Sequence, residues 1–277
     1  MRYSNFIILL ARQRSGTNAL RSILGTHPHI FCLDEVFNLP FRHSEYALTR
    51  DTNFFSFLTR YAHADIYKMF PDKHETLFLD FLEYLRCFSS KRYIVLDVKY
   101  NTTHFLAKTW LDSIVSPYFF ELIEAHRLTV FRLTRKNYLR YVVSVLKAWR
   151  SGRYLVPVTD VNHEDGPIWL EPQYVLNELD KCYREDQIIE QRFSAYDKHL
   201  SLDYAELFPN PDGVASNDLL SSISGWLGVP GQFTNQCQVQ KQSYLALAQT
   251  IENFEQVAKA LTGTRFEYCL EDEAIYR

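Results

Sequence analysis

The feature that most strongly constrains the fold of this chain lies near its start. There a buried strand leads through a glycine-containing turn into an amphipathic helix. The apolar residues 6–11 predict the strand, and the spacing of Leu20, Ile23 and Leu24 predicts the helix. Residues 12–18 form the turn between them. Backbone N–H groups at such a turn and the positive end of the helix dipole together favour an anion. The sequence therefore predicts an anion site near its start.

The rest of the chain alternates between apolar, β-rich segments and segments of helical period. This alternation is typical of an α/β fold with a mostly parallel central sheet flanked by helices. Further strands are predicted at residues 93–98, 128–133 and 199–203. Helices are predicted at residues 77–85, 139–146, 173–193 and 251–261. No segment has the composition of a linker, so we expect a single domain over residues 1–277.

Composition excludes several classes of function. The net charge of −3 gives no electrostatic reason to expect nucleic acid or an anionic membrane as partner. Five cysteines without a Cys-x-x-Cys pair predict neither a zinc site nor a disulfide framework. The apolar run at residues 6–11 is too short to span a bilayer or to form a signal peptide. We therefore expect no transmembrane segment and a cytoplasmic location.

The turn at residues 12–18 has the residue types that an anion site needs. Gly16 allows the backbone to approach an anion closely, and Arg12 and Arg14 add forked cationic donors. The other polar side chains of the turn are Gln13, Ser15, Thr17 and Asn18. A surface turn with two arginines is the alternative. A nucleoside triphosphatase P-loop fits less well, because Ala11 and Thr17 occupy positions of its first glycine and its lysine.

A second candidate anion site follows the predicted strand at residues 128–133. Arg135 ends this strand region, Asn137 is a candidate helix cap, and Ser144 lies nine residues after Arg135. Arg140, in the first turn of the helix, is a candidate for a further contact. A solvated basic helix face is the alternative reading of this segment.

These two segments together resemble the donor-binding motifs of sulfotransferases that use 3′-phosphoadenosine 5′-phosphosulfate (PAPS). Arg14 to Thr17 is similar to the family's Pro-[Lys/Arg]-Ser-Gly-Thr loop, with Gln13 in place of proline, and residues 135–144 are similar to the Arg-x-Asn-x-x-Arg…Ser motif of bacterial and carbohydrate-type members. Weaker similarity extends over residues 201–207, 223–230 and 250–264.

The resemblance implies a three-layer α/β fold with P-loop NTPase-like topology, PAPS as co-substrate, adenosine 3′,5′-bisphosphate as product and no metal. It implies that Arg14 stabilises charge on the departing phosphate. Arg135 and Ser144 would hold the 3′-phosphate, and residues 12–18 as a whole would bind the 5′-phosphosulfate.

The resemblance also implies a general base, Glu35. Glu35, Phe37 and Asn38 are similar to a Gly-Glu-x-Phe-Asn segment of the family, with Asp34 in place of glycine. A loop carboxylate paired with Arg12 or Arg42 is the alternative. The other candidates for the base are His27, His29 and His104.

Lys99, Phe37 and His27 are candidates for contacts with the acceptor, and a surface salt bridge is the alternative for Lys99. Lys241 and Gln242 are candidates to close over the nucleotide. The expected partner is a carbohydrate, glycolipid or other small-molecule acceptor, and no oligomeric state is predicted. A kinase-like nucleotide-binding protein and a non-catalytic relative are the alternative functions, and the first of these would require magnesium.

Overall fold

The structure is a computed structural model that describes residues 3–38, 51–62, 70–106, 117–152, 166–209, 214–231, 233–237 and 245–271. Its described part contains one five-stranded sheet. The strands are β1 Phe6–Ala11, β2 Ile30–Glu35, β3 Tyr93–Lys99, β4 Thr129–Thr134 and β5 His199–Asp203.

The strands lie in the order β2-β3-β1-β4-β5, and all of them are parallel. Every residue of β1 is fully buried, as its continuous apolar sequence requires of a central parallel strand. In the register of the sheet, Ala11 lies opposite Lys99 and Glu35 lies opposite Asp97. The predicted fold class, an α/β structure with a mostly parallel central sheet flanked by helices, is confirmed.

The α-helices of the described residues cover the predicted helical segments except residues 251–253. They are α1 Thr17–Leu24, α2 Phe54–Ala62, α3 His74–Arg86, α4 Tyr118–Ala125, α5 Tyr138–Ser151, α6 Pro172–Phe193, α7 Tyr204–Leu207, α8 Asn217–Leu227, α9 Leu247–Thr250 and α10 Phe254–Leu261. Short 3₁₀ turns occupy Pro71–Lys73, Tyr100–Phe105 and Glu267–Leu270. Within the described ranges, no helix is both long and apolar enough to cross a bilayer.

Two elements differ from the sequence predictions. Strand β2 was not predicted, and it places Glu35 at a strand end instead of in a loop. The helix predicted at residues 251–261 begins only at Phe254, because Ile251 forms a parallel bridge with Ile168. In that bridge the Ile168 N–H donates to the Thr250 carbonyl over 2.9 Å. Local helical spacing is thus overridden by a strand-like contact with a distant segment.

The chain divides into two compact units, each assembled from three separate stretches. Unit 1 comprises Met1–Gln13, Leu24–Arg132 and Tyr196–Ser201, and it holds most of the sheet. Unit 2 comprises Arg14–Ile23, Leu133–Ala195 and Leu202–Arg277, and it holds α5 to α10 and nearly all of α1. Neither unit is a continuous half of the chain, and the single domain over residues 1–277 stays a prediction.

Each unit has its own apolar core. In unit 1, aromatic rings of the β2–α2 region and of α3 and α4 pack together, with the ring centroids of Phe37 and Phe54 5.0 Å apart and those of Phe54 and Phe81 5.1 Å apart. In unit 2, α5, α6, α9 and α10 bury a cluster that includes Leu139 and Leu179. These cores hold the strand ends and helix starts on which the candidate site residues lie.

Candidate functional site

The turn after β1 has the backbone conformation of an anion-binding loop. Gly16 has φ +92°, and Arg14, although not a glycine, has φ +62°. Both values lie in the left-handed region, which costs a residue with a Cβ about 1–2 kcal/mol. Alternation of left- and right-handed residues turns successive N–H groups toward one side, as in anion-binding nests. The predicted turn is therefore present, with strain at Arg14 that its sequence does not reveal.

The polar side chains of the turn differ in their exposure. Ser15 and Thr17 are 2% and 4% exposed, so their hydroxyl groups lie inside the protein near the start of α1. Gln13 and Asn18 are half-buried, and Asn18 Oδ1 accepts a hydrogen bond from Arg21 one turn later in α1. Asn18 thus has a helical partner within α1.

Arg14 contacts the second predicted anion segment directly. Its Nε donates a hydrogen bond of 3.0 Å to Oγ of Ser144, 130 residues later in the chain. Both residues belong to unit 2, and Ser144 lies near the middle of α5. The structure therefore joins two motifs that the sequence analysis assigned to different phosphates of one nucleotide.

Tyr204 links the turn to Arg135, and sequence reasoning did not select it. The Arg135 guanidinium carbon lies 5.0 Å from the centroid of the Tyr204 ring, in cation–π geometry. The ring also lies against Gly16, where an added Cβ would be 2.5 Å from Cδ2 of Tyr204. Only glycine permits this approach. The single available signal was the position of Tyr204 in a segment with weak family resemblance.

Asp203 organises the residues on either side of it. Its Oδ1 accepts from the N–H of Ala205 at the start of α7, and its Oδ2 pairs with Nζ of Lys136 at 2.9 Å. The hydrogen bond to Asp203 raises the pKa of Lys136 above its usual value. Because Lys136 is already paired with Asp203, Arg135 is the better candidate of the two to bind an anionic ligand.

The start of α5 is fixed by Asn137. Asn137 Oδ1 accepts from the N–H of Arg140 at 3.0 Å, which confirms the predicted cap. Its Nδ2 donates to the carbonyls of Cys269 and Glu271 at 3.1 and 3.0 Å. Arg140 is 5% exposed and donates from Nη1 to the Leu245 carbonyl at 2.7 Å. Arg140 therefore has a backbone partner inside unit 2.

Unit 1 contains a cluster of three charged groups around Glu35. Glu35 Oε1 lies 3.6 Å from Nζ of Lys99, and Lys99 pairs with Asp97 at 2.7 Å. Oε2 of Glu35 accepts a hydrogen bond of 2.5 Å from Asn38. Lys99 is 1% exposed and Asp97 is fully buried, so the alternative reading of Lys99, a surface salt bridge, does not hold.

A second polar cluster of unit 1 surrounds Tyr100, which follows β3. The Arg12 guanidinium carbon lies 5.6 Å from the centroid of the Tyr100 ring, and Nε of Arg132 donates to the Tyr100 hydroxyl at 3.3 Å. Arg12 and Arg132 are both buried. Sequence reasoning selected Arg12 but neither Tyr100 nor Arg132, because neither residue matches a motif.

Phe37 and His27 lie in the interior. Phe37 is 2% exposed and packs in the aromatic core of unit 1, while the His27 ring is fully buried and its Nδ1 accepts from the His29 N–H at 3.2 Å. Packing explains both residues without an acceptor. Three further residues named in the sequence analysis, Arg42, Lys241 and Gln242, lie outside the described residues.

No set of three or more His, Cys, Asp or Glu side chains is arranged to hold a metal ion in the described parts of the chain. The candidate residues of the two units supply arginines, hydroxyl groups, amides, the Lys99 ammonium and the carboxylates of Asp97 and Glu35, and Glu35 is 25% exposed. Such groups suit the binding of an anionic ligand and a proton transfer.

No family model matches the chain. The sequence is similar to Nodulation protein H of Rhizobium tropici, with 26% identity over 269 residues that cover 92% of this chain and 89% of the relative. The fold was also matched to a sulfotransferase from Alicyclobacillus acidocaldarius, with a TM-score of 0.44 and 14% identity over 99% of this chain and 98% of the other. The predicted resemblance to sulfotransferases is confirmed.

Proposed function

We propose that this chain, which resembles sulfotransferases over nearly its whole length, transfers a sulfuryl group from PAPS to a hydroxyl group of a carbohydrate, glycolipid or other small-molecule acceptor. The hydrogen bond between Arg14 and Ser144 is the observation that carries the proposal, because it unites the two predicted anion motifs. A cytoplasmic location is part of the proposal and rests on the odd number and wide spacing of the cysteines.

The proposed reaction needs positioning, charge stabilisation and a base. The acceptor oxygen attacks sulfur, the bond from sulfur to the bridging phosphate oxygen breaks, and adenosine 3′,5′-bisphosphate leaves with that electron pair. Arg14 and the loop amides would stabilise the charge on the departing phosphate. Glu35 would take the proton of the acceptor hydroxyl as general base.

Donor selectivity tests the proposal. We expect the protein to bind adenosine 3′,5′-bisphosphate without magnesium and far more tightly than ATP, because Thr17 replaces the P-loop lysine that would serve the β- and γ-phosphates. Isothermal titration calorimetry with each ligand, with and without magnesium, measures this. Tight magnesium-dependent ATP binding together with no binding of the bisphosphate would favour a kinase-like protein instead. Labelled PAPS offered with sets of sugars, glycolipids and phenols would then identify the acceptor class.

The Arg135→Ala variant tests whether Arg135 binds the 3′-phosphate of the donor. Each charge-assisted hydrogen bond that it removes contributes about 1.5–3 kcal/mol. The affinity for adenosine 3′,5′-bisphosphate should therefore fall by roughly tenfold to a hundredfold. The affinity for adenosine 5′-phosphosulfate, which lacks the 3′-phosphate, should change much less, and calorimetry with both ligands measures the difference.

Lys136→Ala is the matched control for this experiment, because it removes the adjacent cation that is already paired with Asp203. Lys136 is 71% exposed, and ion pairs with an exposed member contribute little to stability, so the substitution should leave the protein folded. Equal losses of affinity for the two ligands in Arg135→Ala, or an equal loss in Lys136→Ala, would contradict the assignment of Arg135 to the 3′-phosphate.

A further inference from the structure

Asp97, which no motif of the sequence selects, lies at the centre of the charged cluster of unit 1. It faces Glu35 across the β2–β3 ladder, and its carbonyl accepts from the N–H of Val36 at 3.2 Å. Asp97 and Lys99 are two residues apart on β3, so their side chains point to the same face of the sheet. One strand thus presents a carboxylate and an ammonium side by side next to Glu35.

The distances within the cluster are unequal. Lys99 Nζ donates to Asp97 Oδ1 at 2.7 Å, but it lies 3.6 Å from Oε1 of Glu35, beyond the range of a hydrogen bond. Lys99 is 1% exposed, so its charge acts on Glu35 with little screening by solvent. Lys99 therefore attracts the carboxylate of Glu35 while its hydrogen bond is made to Asp97.

The orientation of Glu35 has two further supports. The register between β2 and β3 is irregular between Cys32 and Glu35, and such an irregularity re-aims the side chain that follows it. The N–H of Glu35 donates to Oδ1 of Asp34 at 2.8 Å, and Oε2 of Glu35 accepts from Asn38. Asn38 is held in turn, because its carbonyl accepts from Nδ2 of Asn53 at 2.5 Å.

We propose that Asp97 is a positioning residue for the general base: it holds the ammonium of Lys99 at a distance from which Lys99 orients Glu35 without donating a hydrogen bond to Oε1. This inference rests on the proposed function of Glu35. Without the charge of Asp97, the Lys99 ammonium would move to Glu35 and form a direct hydrogen-bonded ion pair. That pair would compete with the acceptor proton for the same oxygen. Asp97 therefore acts on the reaction only through Lys99.

A double-mutant cycle over Asp97→Asn and Lys99→Met tests the inference. Asp97→Asn should lower the single-turnover rate of sulfuryl transfer by about tenfold to a hundredfold, as expected for a misplaced reacting group. Its affinity for adenosine 3′,5′-bisphosphate should stay within about twofold of the unchanged protein, because the donor is assigned to the arginines and the loop amides. In the Lys99→Met background, Asp97→Asn should have no further effect on the rate.

The same cycle read by thermal unfolding gives an independent result. Lys99→Met leaves the buried Asp97 carboxylate without the ammonium, which is strongly destabilising. Adding Asp97→Asn removes this charge and should raise the unfolding midpoint above that of Lys99→Met alone. Asp197→Asn, which breaks the exposed pair of Asp197 with Arg127, is the control and should leave rate and midpoint nearly unchanged.

Three results would overturn the inference while leaving the proposed function intact. The first is a normal transfer rate in Asp97→Asn. The second is a transfer rate in the double variant that is lower than that of Lys99→Met by the same factor by which Asp97→Asn alone lowers the rate. The third is a loss of donor affinity in Asp97→Asn as large as its loss of transfer rate. If Asp97→Asn alone does not fold, the double variant is compared with Lys99→Met, and a transfer rate in the double variant clearly below that of Lys99→Met overturns the inference. Absence of transfer to every acceptor class by the unchanged protein would overturn the proposed function, and the inference with it.

Discussion

Glu35→Gln is expected to lower the rate of sulfuryl transfer by about 10²–10⁴, the usual contribution of a positioned general base. Glutamine keeps the size of the side chain and accepts from Asn38 as glutamate does, but it does not take up a proton at neutral pH. Donor affinity should be nearly unchanged, because the anions of the donor are assigned to Arg14, Arg135 and the loop amides. Single-turnover transfer and calorimetry measure the two quantities.

Glu83→Gln is the matched control for Glu35→Gln. Glu83 belongs to the same unit, is 33% exposed and pairs with Arg86 within α3 at 3.3 Å, so its substitution should leave transfer unchanged. Near-normal transfer by Glu35→Gln would remove Glu35 from the mechanism. The base would then be sought among the histidines, with the exposed His104 ahead of the buried His27.

Arg14→Ala is expected to reduce turnover by about 10²–10³ and also to weaken binding of PAPS. In the proposed function, the Arg14 guanidinium contacts the phosphosulfate in the ground state, and it stabilises the charge that develops there in the transition state. Alanine at residue 14 bears the same left-handed backbone cost as arginine, so the comparison isolates the guanidinium. Steady-state kinetics of transfer and calorimetry of the bisphosphate measure the two effects.

Ser144→Ala and Arg14→Lys resolve the contributions to this effect. Ser144→Ala removes the acceptor of the Arg14 Nε and keeps the guanidinium, while Arg14→Lys keeps a charge and removes the fork. Both should lie between the unchanged protein and Arg14→Ala in turnover. Loss of donor affinity in Arg14→Ala with unchanged turnover at saturating donor would show that Arg14 binds the donor without stabilising the transition state.

The parallel sheet could be predicted largely from local sequence. Strand β1 has the predicted bounds, β3 ends one residue after the predicted range 93–98, and β4 is displaced by one residue from the predicted range 128–133. Strand β2 was missed because its apolar run is short and ends in Asp34 and Glu35, residues that are uncommon in strands. Its pairing with β3 supplies the stability that local propensity does not indicate.

The motif residues of the candidate site could be named from sequence, but their contacts could not. The bond from Arg14 to Ser144 joins residues 130 positions apart, and the approach of Tyr204 to Gly16 depends on where α7 packs. From the sequence, Asp97 is only a polar residue in an apolar strand, and the role that we propose for it depends on the sheet, which places it opposite Glu35. Contacts of this kind are determined by tertiary packing, which the patterns of a single sequence do not predict.

The side chain of Asn137 forms hydrogen bonds with two parts of unit 2 that are far apart in the sequence. Its oxygen starts the helix that carries Ser144, and its nitrogen holds the backbone of the last 3₁₀ turn. Aspartate or serine would cap the helix equally well, yet aspartate has no N–H to donate and serine has only a single donor. Of the good helix-capping residues, asparagine alone combines the acceptor with two donors. Substitution of Asn137 is therefore restricted by its two hydrogen bonds to the backbone of residues 269 and 271 as well as by its role as a helix cap.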